Sequence, residues 1–209
     1  MSEMLYNPYD LIIIKENVIP EENLEEIMLL TNNTKDISNA TIIKEGGGGE
    51  TNLETRNTLW YHITDEMVNK FQEAVASCFV NYVAPKYNCQ FKSYEPAQFL
   101  GYPPGGHYKG HNDGEHFNYK TRQWEKIMPR DVSFLFYLND QYGGGELEFG
   151  DLGLTIKPKK GMMIAFPSYK EFAHMVHPVT WGHRYSLVSW FGTQKNLYDT
   201  IPRPGIPQS

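Results

Sequence analysis

Short apolar segments alternate with glycine- and proline-containing turns through the second half of this 209-residue chain. Six such segments lie at Ala97–Tyr102, Val132–Leu138, Glu146–Phe149, Leu154–Lys157, Met162–Phe166 and Arg184–Phe191. Many short strands at this spacing predict an antiparallel sandwich or barrel. Aromatic residues make up 14% of the chain, and they favour the same interpretation because they fit pleated surfaces.

The first half of the chain predicts helices that support this β-core. Leu11–Ile14 is an apolar run bounded by charge and predicts a buried strand. A helix is predicted over Pro20–Leu30, because proline suits the first turn and the acidic residues there lie near the positive end of the helix dipole. A second helix is predicted over Thr64–Tyr82, where apolar residues recur every three or four positions, and Pro85 is expected to end it.

These elements predict a mainly β fold with flanking helices, folded as a single domain over residues 1–209. Residues 1–93 would supply the supporting strand and helices, residues 94–192 the β-core, and residues 193–209 a tail on the surface. The four glycines at 46–49 could suggest a phosphate-binding loop, but no Gly-Lys-Ser/Thr sequence follows them. A mobile loop is predicted there instead.

Charge and cysteine content narrow the function classes. The net charge is −6 and the pI is near 5.6, which argues against binding to a nucleic-acid backbone. Two cysteines, Cys78 and Cys89, cannot form a disulfide framework and suggest free thiols in a reducing compartment. The N-terminus has no secretory-signal pattern, and no apolar run is long enough to span a bilayer. A soluble, cytoplasmic protein without a membrane partner is therefore expected.

The candidate chemistry centres on histidine. His111 and Asp113 form a His-x-Asp sequence, and side chains two positions apart on a strand point to the same face. An imidazole and a carboxylate would therefore project together, as two ligands of one metal must. A third ligand would come from a distant strand, and the residues alone leave both His174 and His177 as candidates.

A strand arginine adds a second signal. Arg184 begins the last apolar run and shares one face with Ser186 and Trp190. A buried arginine is costly unless it meets an anion, so a carboxylate ligand is implied. Two histidines and one carboxylate with open positions are typical of non-haem Fe(II) oxygenases. In such a site, 2-oxoglutarate chelates the metal, O₂ takes the last position, and arginine binds the far carboxylate.

In these residues, the chain resembles the prolyl 4-hydroxylase-like branch of the Fe(II)/2-oxoglutarate-dependent oxygenases. The resemblance covers about residues 94–192. It lies in the stretches Gly105–Asp113 (GGHYKGHND), Arg130–Asn139 (RDVSFLFYLN), Gly144–Phe149 (GGELEF), Lys157–Phe166 (KPKKGMMIAF) and His174–Arg184 (HMVHPVTWGHR). The first 93 residues have the family's layout of strand, helix, loop and helix but carry no motif of their own.

The resemblance assigns roles to individual residues. It implies that His111, Asp113 and His174 bind the metal, because the family places its second histidine four residues before Pro-Val, which excludes His177. The 2-oxoglutarate cation is expected ten residues after that histidine, at Arg184, where many prolyl 4-hydroxylases have lysine. The remaining cosubstrate-binding candidates are Tyr137, Tyr102, Ser186 and Trp190. His107 and His183 are expected on turns.

The resemblance implies a double-stranded β-helix, a jelly-roll or cupin-like barrel with the N-terminal helices packed on its major sheet. It implies a dioxygenase, similar to procollagen-proline 4-dioxygenase, that uses Fe(II), 2-oxoglutarate and O₂, with ascorbate as a candidate reductant.

The preferred substrate is a prolyl residue in a peptide or protein. The alternatives are a free amino acid, another protein residue or a small metabolite, a cupin-type metal protein with a different reaction, and a non-catalytic binding module. Ordered loops at 45–58 and 114–129 beside the metal would favour a peptide. The residues predict no oligomeric state.

Overall fold

The computed structural model describes residues 8–43, 48–63 and 65–201. Three α-helices lie among these residues, at α1 (Glu21–Asn33), α2 (Asp65–Cys78) and α3 (Ala84–Tyr87). The strands before the β-core are β1 (Ile13–Lys15), β2 (Ile37–Asn39), β3 (Ile42–Ile43), β4 (Gly49–Glu50), β5 (Arg56–Asn57), β6 (Leu59–Tyr61) and β7 (Phe91–Tyr94).

Twelve further strands form the β-core. They are β8 (Gln98–Tyr102), β9 (His107–His111), β10 (Glu115–Asn118), β11 (Gln123–Lys126), β12 (Val132–Tyr137), β13 (Tyr142–Gly144), β14 (Leu147–Phe149), β15 (Leu154–Ile156), β16 (Met163–Pro167), β17 (His174–Val176), β18 (Val179–Gly182) and β19 (Arg184–Thr193). The six apolar segments of the sequence correspond to β8, β12, β14, β15, β16 and β19, so the strand predictions are confirmed.

The residues of the candidate site lie on two main sheets. The major sheet has eight strands in the order β1-β16-β12-β19-β8-β6-β2, and β7 also pairs with β19. The minor sheet has the order β15-β14-β17-β9-β5. A β13–β18 pair, a β10–β11 hairpin and a β3–β4 hairpin complete the pairing of the described strands. Every pairing among the described strands is antiparallel, as the alternating short strands predict.

Helical side chains pack on the outer face of the major sheet. The Phe71 ring of α2 meets Phe99 of β8 edge-on, with ring centroids 5.4 Å apart. Phe79 stacks on Phe191 of β19, with centroids 5.2 Å apart. These aromatic contacts confirm the prediction that N-terminal helices pack on the major sheet, and they leave its opposite face free to form the site.

The second helix departs from the sequence prediction at its end. After α2 the chain makes a π-helical stretch at Phe79–Val83 and then continues into α3, which contains Pro85 in its first turn. Proline lacks an N–H but is tolerated where the helix restarts, because that N–H has no intrahelical acceptor. The helix therefore ends at Asn88, which adopts a left-handed conformation with φ of 47°, and the expected stop at Pro85 is wrong.

Other predictions concern the chain ends and the glycine run. Gly46 and Gly47 lie outside the described residues, and Gly49 begins β4. The predicted Leu11–Ile14 strand is shifted, because a 3-10 helix occupies Pro8–Leu11 and β1 begins at Ile13. Leu197 and Ile201 of the tail are buried, and residues beyond 201 are outside the description. No described helix has both the length and the apolar character that a bilayer crossing requires.

Candidate metal centre and active site

Two histidines face each other across a strand pair. β17 runs antiparallel to β9, and its register places His174 directly opposite His111. Their ring centroids are 4.4 Å apart. Asp113 follows in a bend just after β9 ends, so the expected His-x-Asp face is completed by a turn and not by the strand itself. Suitable ligand atoms of the three residues lie within 4.8 Å of one another.

Backbone carbonyls orient both imidazoles. Nδ1 of His111 lies 2.9 Å from the Lys109 carbonyl, and Nδ1 of His174 lies 3.0 Å from the Phe172 carbonyl. A carbonyl only accepts hydrogen bonds, so each Nδ1 must be the protonated nitrogen. Each Nε2 then keeps a free lone pair directed towards Asp113, at 3.7 Å from Oδ1 for His111 and 3.9 Å from Oδ2 for His174. This tautomer is the one that a metal-binding histidine needs.

Two buried serines orient the carboxylate. The Ser133 hydroxyl donates to Oδ2 of Asp113 at 2.7 Å, and Ser168 lies 2.7 Å from Ser133. Because Ser133 has one hydrogen and gives it to Asp113, Ser168 must donate to Ser133. The backbone N–H of Gly114 also donates to the Ser168 carbonyl, at 2.9 Å. This network ties the segment carrying Asp113 to the segment that leads into His174.

The electrostatics favour the metal-binding protonation states of His111 and Asp113. Burial, together with neighbouring His174, lowers the pKa of His111 to about 3. Burial alone would raise the pKa of Asp113. The two histidines, Arg130 and the Ser133 hydrogen bond outweigh it, and the pKa is lowered to about 2. The site therefore presents neutral imidazole and an ionised carboxylate near neutral pH, a donor set that suits Fe(II).

Arg184 is fully buried, with a relative exposure of 0%. Its Nη1 donates to the Ser186 hydroxyl at 3.3 Å, while Nε and Nη2 have no partner among the described residues. The guanidinium carbon lies 4.5 Å from the centre of the Tyr102 ring and 4.9 Å from that of Tyr137. The groups that act most on its pKa are tyrosine hydroxyls and not carboxylates. This buried cation has no anionic partner among the residues that the structure describes, and the carboxylate ligand expected for it stays a prediction.

Strand register explains why these residues meet. Tyr102 of β8 lies opposite Arg184 of β19, and Tyr137 of β12 lies opposite Ser186. Asn139 holds the start of β19, because its amide donates to the His183 carbonyl at 2.7 Å and its oxygen accepts from the Tyr185 N–H at 2.8 Å. The Tyr-Leu-Asn sequence therefore supplies both a wall of the arginine pocket and the contact that positions the arginine.

A cavity of about 510 Å³ opens onto the candidate metal ligands, within the usual range for ligand pockets. Tyr102 and Ser186 line its interior, next to Arg184. Its mouth is formed by the β10–β11 hairpin and by the β3 strand. The lining side chains of this rim are Ile42, Ile43, Phe117, Tyr119, Trp124 and Ile127.

Trp190 also lines the cavity, but its nearest charged neighbour is Arg130, whose guanidinium carbon lies 3.7 Å from the centre of the indole ring. Arg130 in turn forms a double hydrogen bond with Glu95 and donates to the Asp113 carbonyl at 3.3 Å. Trp190 thus faces inward as predicted, beside the carboxylate ligand, while its role towards the cosubstrate stays a prediction.

The other histidines lie apart from the three ligands. His177 pairs with Glu148, Nε2 to Oε2 2.5 Å, on the outer side of the minor sheet. His107 is the first residue of β9, so its expected place on a turn is wrong. His183 lies between β18 and β19, and His116 is part of β10 and lines the cavity.

Sequence reasoning missed three groups near the site. Ser133 and Ser168 hold the aspartate, and Tyr142 lies against Arg184. No sequence spacing signals these contacts, since each depends on the register between distant strands. The three glycines at 143–145 are the one available signal, because glycines that allow close approach indicate that a neighbouring side chain needs room.

Comparisons with known proteins agree with this site. Residues 97–192, just under half of the chain, match the 2OG-Fe(II) oxygenase superfamily. This stretch contains all three candidate metal ligands and Arg184. The similarity to this superfamily therefore covers the whole candidate site.

The fold is a double-stranded β-helix like that of solved prolyl hydroxylases. A Trichoplax adhaerens prolyl hydroxylase, solved in complex with a hypoxia inducible factor peptide fragment, superposes with a TM-score of 0.69 and 19% identity, covering 92% of this chain and 88% of that one. A viral collagen prolyl hydroxylase from Paramecium Bursaria Chlorella virus-1, solved as a 2OG complex, gives a TM-score of 0.62 and 21% identity over 88% and 97% of the two chains. Mouse prolyl 3-hydroxylase 2 is 42% identical over 79 residues, which are 35% of this chain and 11% of the relative. This chain thus matches about a tenth of that relative's length.

Proposed function

We propose that the protein is an Fe(II)- and 2-oxoglutarate-dependent dioxygenase that hydroxylates a prolyl residue of a peptide or protein. One observation carries the oxygenase assignment: a His-Asp-His set with free ligand atoms lies beside a fully buried arginine that has two unpaired donors. A metal site alone fits many reactions. A metal site with a preformed carboxylate pocket fits a 2-oxo dicarboxylic acid as cosubstrate.

His111, Asp113 and His174 would hold the iron. When bound together with 2-oxoglutarate and O₂, the iron supplies the oxidising power that inserts one oxygen atom into an unactivated C–H bond, with release of succinate and CO₂. The serines behind Asp113 keep its carboxylate oriented, and the carbonyls behind the histidines keep Nε2 unprotonated. Ascorbate would serve as the reductant that maintains the metal in its ferrous state.

Arg184, Tyr137 and Tyr102 would bind the far carboxylate of the cosubstrate. The unpaired Nε and Nη2 atoms form one edge of the guanidinium, the geometry that binds a carboxylate through two parallel hydrogen bonds. Ser186 already occupies Nη1 and so fixes the orientation of the guanidinium plane. Leu135 and Val188 supply apolar walls that exclude water from the pocket.

The rim of the cavity supports a peptide substrate. The segment 114–129 contains the β10–β11 hairpin, and Thr55 and Arg56 of the segment 48–58 also line the cavity, so both segments contribute to its wall. Aromatic side chains on the hairpin offer faces of the kind that bind extended proline-rich segments. The peptide complex of the Trichoplax relative and the proline-modifying activity in the relatives' names point to the same substrate class.

The test combines binding and turnover. The protein is titrated with Fe(II) and 2-oxoglutarate without oxygen, then exposed to oxygen with a panel of proline-rich peptides. We expect stoichiometric binding, succinate release coupled to peptide, and a product heavier by one oxygen atom. Amino-acid analysis of the product then distinguishes 3- from 4-hydroxyproline.

Other outcomes select the alternatives. Coupled succinate release with free amino acids or metabolites but with no peptide would change the substrate class. Metal binding without any 2-oxoglutarate consumption would favour a cupin-type protein with a different reaction. A fold that neither binds nor responds to Fe(II) would favour a non-catalytic module.

A further inference from the structure

The pocket around Arg184 contains a hydrogen-bond donor that the sequence analysis did not assign. Tyr142 is only 3% exposed, and its hydroxyl has no hydrogen-bond partner among the described residues. The same is true of the Tyr137 hydroxyl and of Nε and Nη2 of Arg184. Buried polar groups without partners are rare, and a set of them in one place indicates a missing ligand.

The number of these donors fits one chemical group. An ionised carboxylate has about four acceptor sites on its two oxygens. Nε and Nη2 of Arg184 and the two tyrosine hydroxyl oxygens give four donor atoms, which can direct one N–H or O–H each at a carboxylate. Burial raises the pKa of both Tyr137 and Tyr142, so both stay protonated and able to donate at neutral pH. Arg184 acts in the opposite direction on both pKa values, by its charge and by side-chain contacts that fall short of hydrogen-bond geometry, so both hydroxyls lie near the same guanidinium.

Two glycines allow Tyr142 to come this close. Tyr142 pairs with Gly182 across β13 and β18. A side chain at Gly182 would bring its Cβ within 3.1 Å of the Tyr142 Cα. Gly145 has φ of +67°, and a Cβ there would lie 2.9 Å from the Arg184 Cδ and 3.1 Å from the Tyr142 ring. The backbone therefore leaves room for the tyrosine ring and the arginine to pack on each other.

We propose that the Tyr142 hydroxyl donates a hydrogen bond to the far carboxylate of 2-oxoglutarate, beside Arg184 and Tyr137. Tyr142 is then a cosubstrate-binding residue that contributes specifically to recognition of the second carboxylate. This inference rests on the proposed function, because it needs 2-oxoglutarate as the occupant of the pocket.

The test measures binding and not turnover. Calorimetry without oxygen gives the dissociation constants of 2-oxoglutarate and 2-oxobutanoate for the Fe(II)-loaded protein. 2-Oxobutanoate keeps the chelating groups but lacks the far carboxylate. Tyr142→Phe should weaken 2-oxoglutarate binding about tenfold to a hundredfold, the range for losing a hydrogen bond to a charged group. Its affinity for 2-oxobutanoate should change less than about twofold.

Tyr185→Phe is the matched control. Tyr185 is the neighbour of Arg184 on β19, but its ring packs against Tyr61 on the other face of the sheet, with centroids 5.7 Å apart. This variant should bind both ligands as the unmodified protein does. Arg184→Lys keeps the charge but loses the two-pronged edge, so it should also weaken 2-oxoglutarate binding.

The outcomes separate the two proposals. If Tyr142→Phe binds 2-oxoglutarate normally while Arg184→Lys does not, the role of Tyr142 is wrong and the proposed function stands. Equal loss of both ligands in Tyr142→Phe would make Tyr142 a structural residue and would also overturn the inference. If the unmodified protein itself fails to bind 2-oxoglutarate, the proposed function falls, and the inference falls with it.

Discussion

Ser133 is the side chain that holds the acidic member of the candidate metal site, and its removal should be visible in metal affinity. Ser133→Ala removes the hydrogen bond to Oδ2 of Asp113. We expect the affinity for Fe(II) to fall about tenfold to a hundredfold, as for other partners of metal ligands. The dissociation constant for Fe(II) is measured by titrating the metal into the protein in a calorimeter in the absence of oxygen.

Ser189→Ala provides the control for that prediction. Ser189 is equally buried, but its hydroxyl donates to the Glu95 carbonyl at 2.9 Å and has no contact with Asp113. Metal affinity should be unchanged in this variant. An equal loss in both variants would mean that general destabilisation, and not carboxylate orientation, had been measured.

The second residue-scale prediction separates His174 from His177. His174→Ala should abolish stoichiometric metal binding, because one of three protein ligands is lost. His177→Ala should leave metal affinity within about twofold, because His177 bonds to Glu148 away from the cavity. A loss of metal from His177→Ala as large as that from His174→Ala would contradict the assignment.

Individual site residues differed in how far the sequence could predict them. His174 could be chosen over His177 because the family that the chain resembles has its second histidine four residues before a Pro-Val pair. The link from Ser133 to Asp113 and the approach of Tyr142 to Arg184 could not be predicted. Both depend on side chains brought together by strands far apart in sequence, and such pairing leaves no periodic signal in either strand. The metal and cosubstrate roles themselves stay predictions.

At the scale of elements, the prediction of a peptide substrate depends on the β10–β11 hairpin. Trp124 is 42% exposed and lines the mouth of the cavity. Trp124→Ala should raise the KM for peptide about thirtyfold, the effect of losing an aromatic contact worth about 2 kcal/mol. The 2-oxoglutarate affinity should not change, because Trp124 packs against Phe117 of the hairpin, whereas the described contacts of Arg184 are with Tyr102, Tyr137 and Ser186.

A second exposed tryptophan provides the control for Trp124. Trp181 of β18 is 60% exposed and is not part of the cavity wall. Trp181→Ala should leave both constants unchanged in steady-state assays. If peptide KM responds equally to both substitutions, the hairpin does not select the substrate.

Elements were predicted well where burial imposes a simple pattern. The strands of the major sheet are apolar on both faces, because helices cover one side and the cavity interior the other, and they read as continuous runs. The helix after Asp65 was harder, because a π-helical stretch at Phe79–Val83 changes the side-chain spacing and admits Pro85 afterwards. The β10–β11 hairpin falls within the loop expected at 114–129, and its strands could not be predicted because its charged and aromatic residues alternate without a clear buried face.

For the whole molecule, the buried acids of high pKa predict a loss of stability in alkali. Burial raises the pKa of both Cys78 and Cys89 to about 11, whereas thiols of an unfolded chain titrate near 8.5. Groups with raised pKa stabilise the fold fully below the unfolded value and lose that contribution as pH rises through the folded value. The free energy of unfolding should therefore fall between about pH 9 and 11, by on the order of 2–3 kcal/mol for the well-buried Cys78.

Urea unfolding at a series of pH values tests this. Cys78→Ala should be less stable at pH 8 because of lost packing, but its stability should decline less steeply between pH 9 and 10. Parallel curves for the two proteins would show that Cys78 does not titrate as described. Cys78 and Cys89 are free thiols, and the reducing compartment, the cytoplasmic location and the single-domain assignment over residues 1–209 stay predictions.

The pairing of His111 with His174 across β9 and β17 makes a bound cation a removable cross-link between two distant parts of the chain. By mass action, a cation that binds only the folded state adds to the free energy of unfolding, by about 2.7 kcal/mol at a hundredfold excess over its dissociation constant. Chelators should therefore lower the melting temperature of the protein, and variants can be ranked only at a fixed concentration of free metal. Because of this coupling, the folded fraction near the melting temperature depends on the concentration of free ferrous iron. In an iron-poor solution the protein therefore loses stability together with its metal.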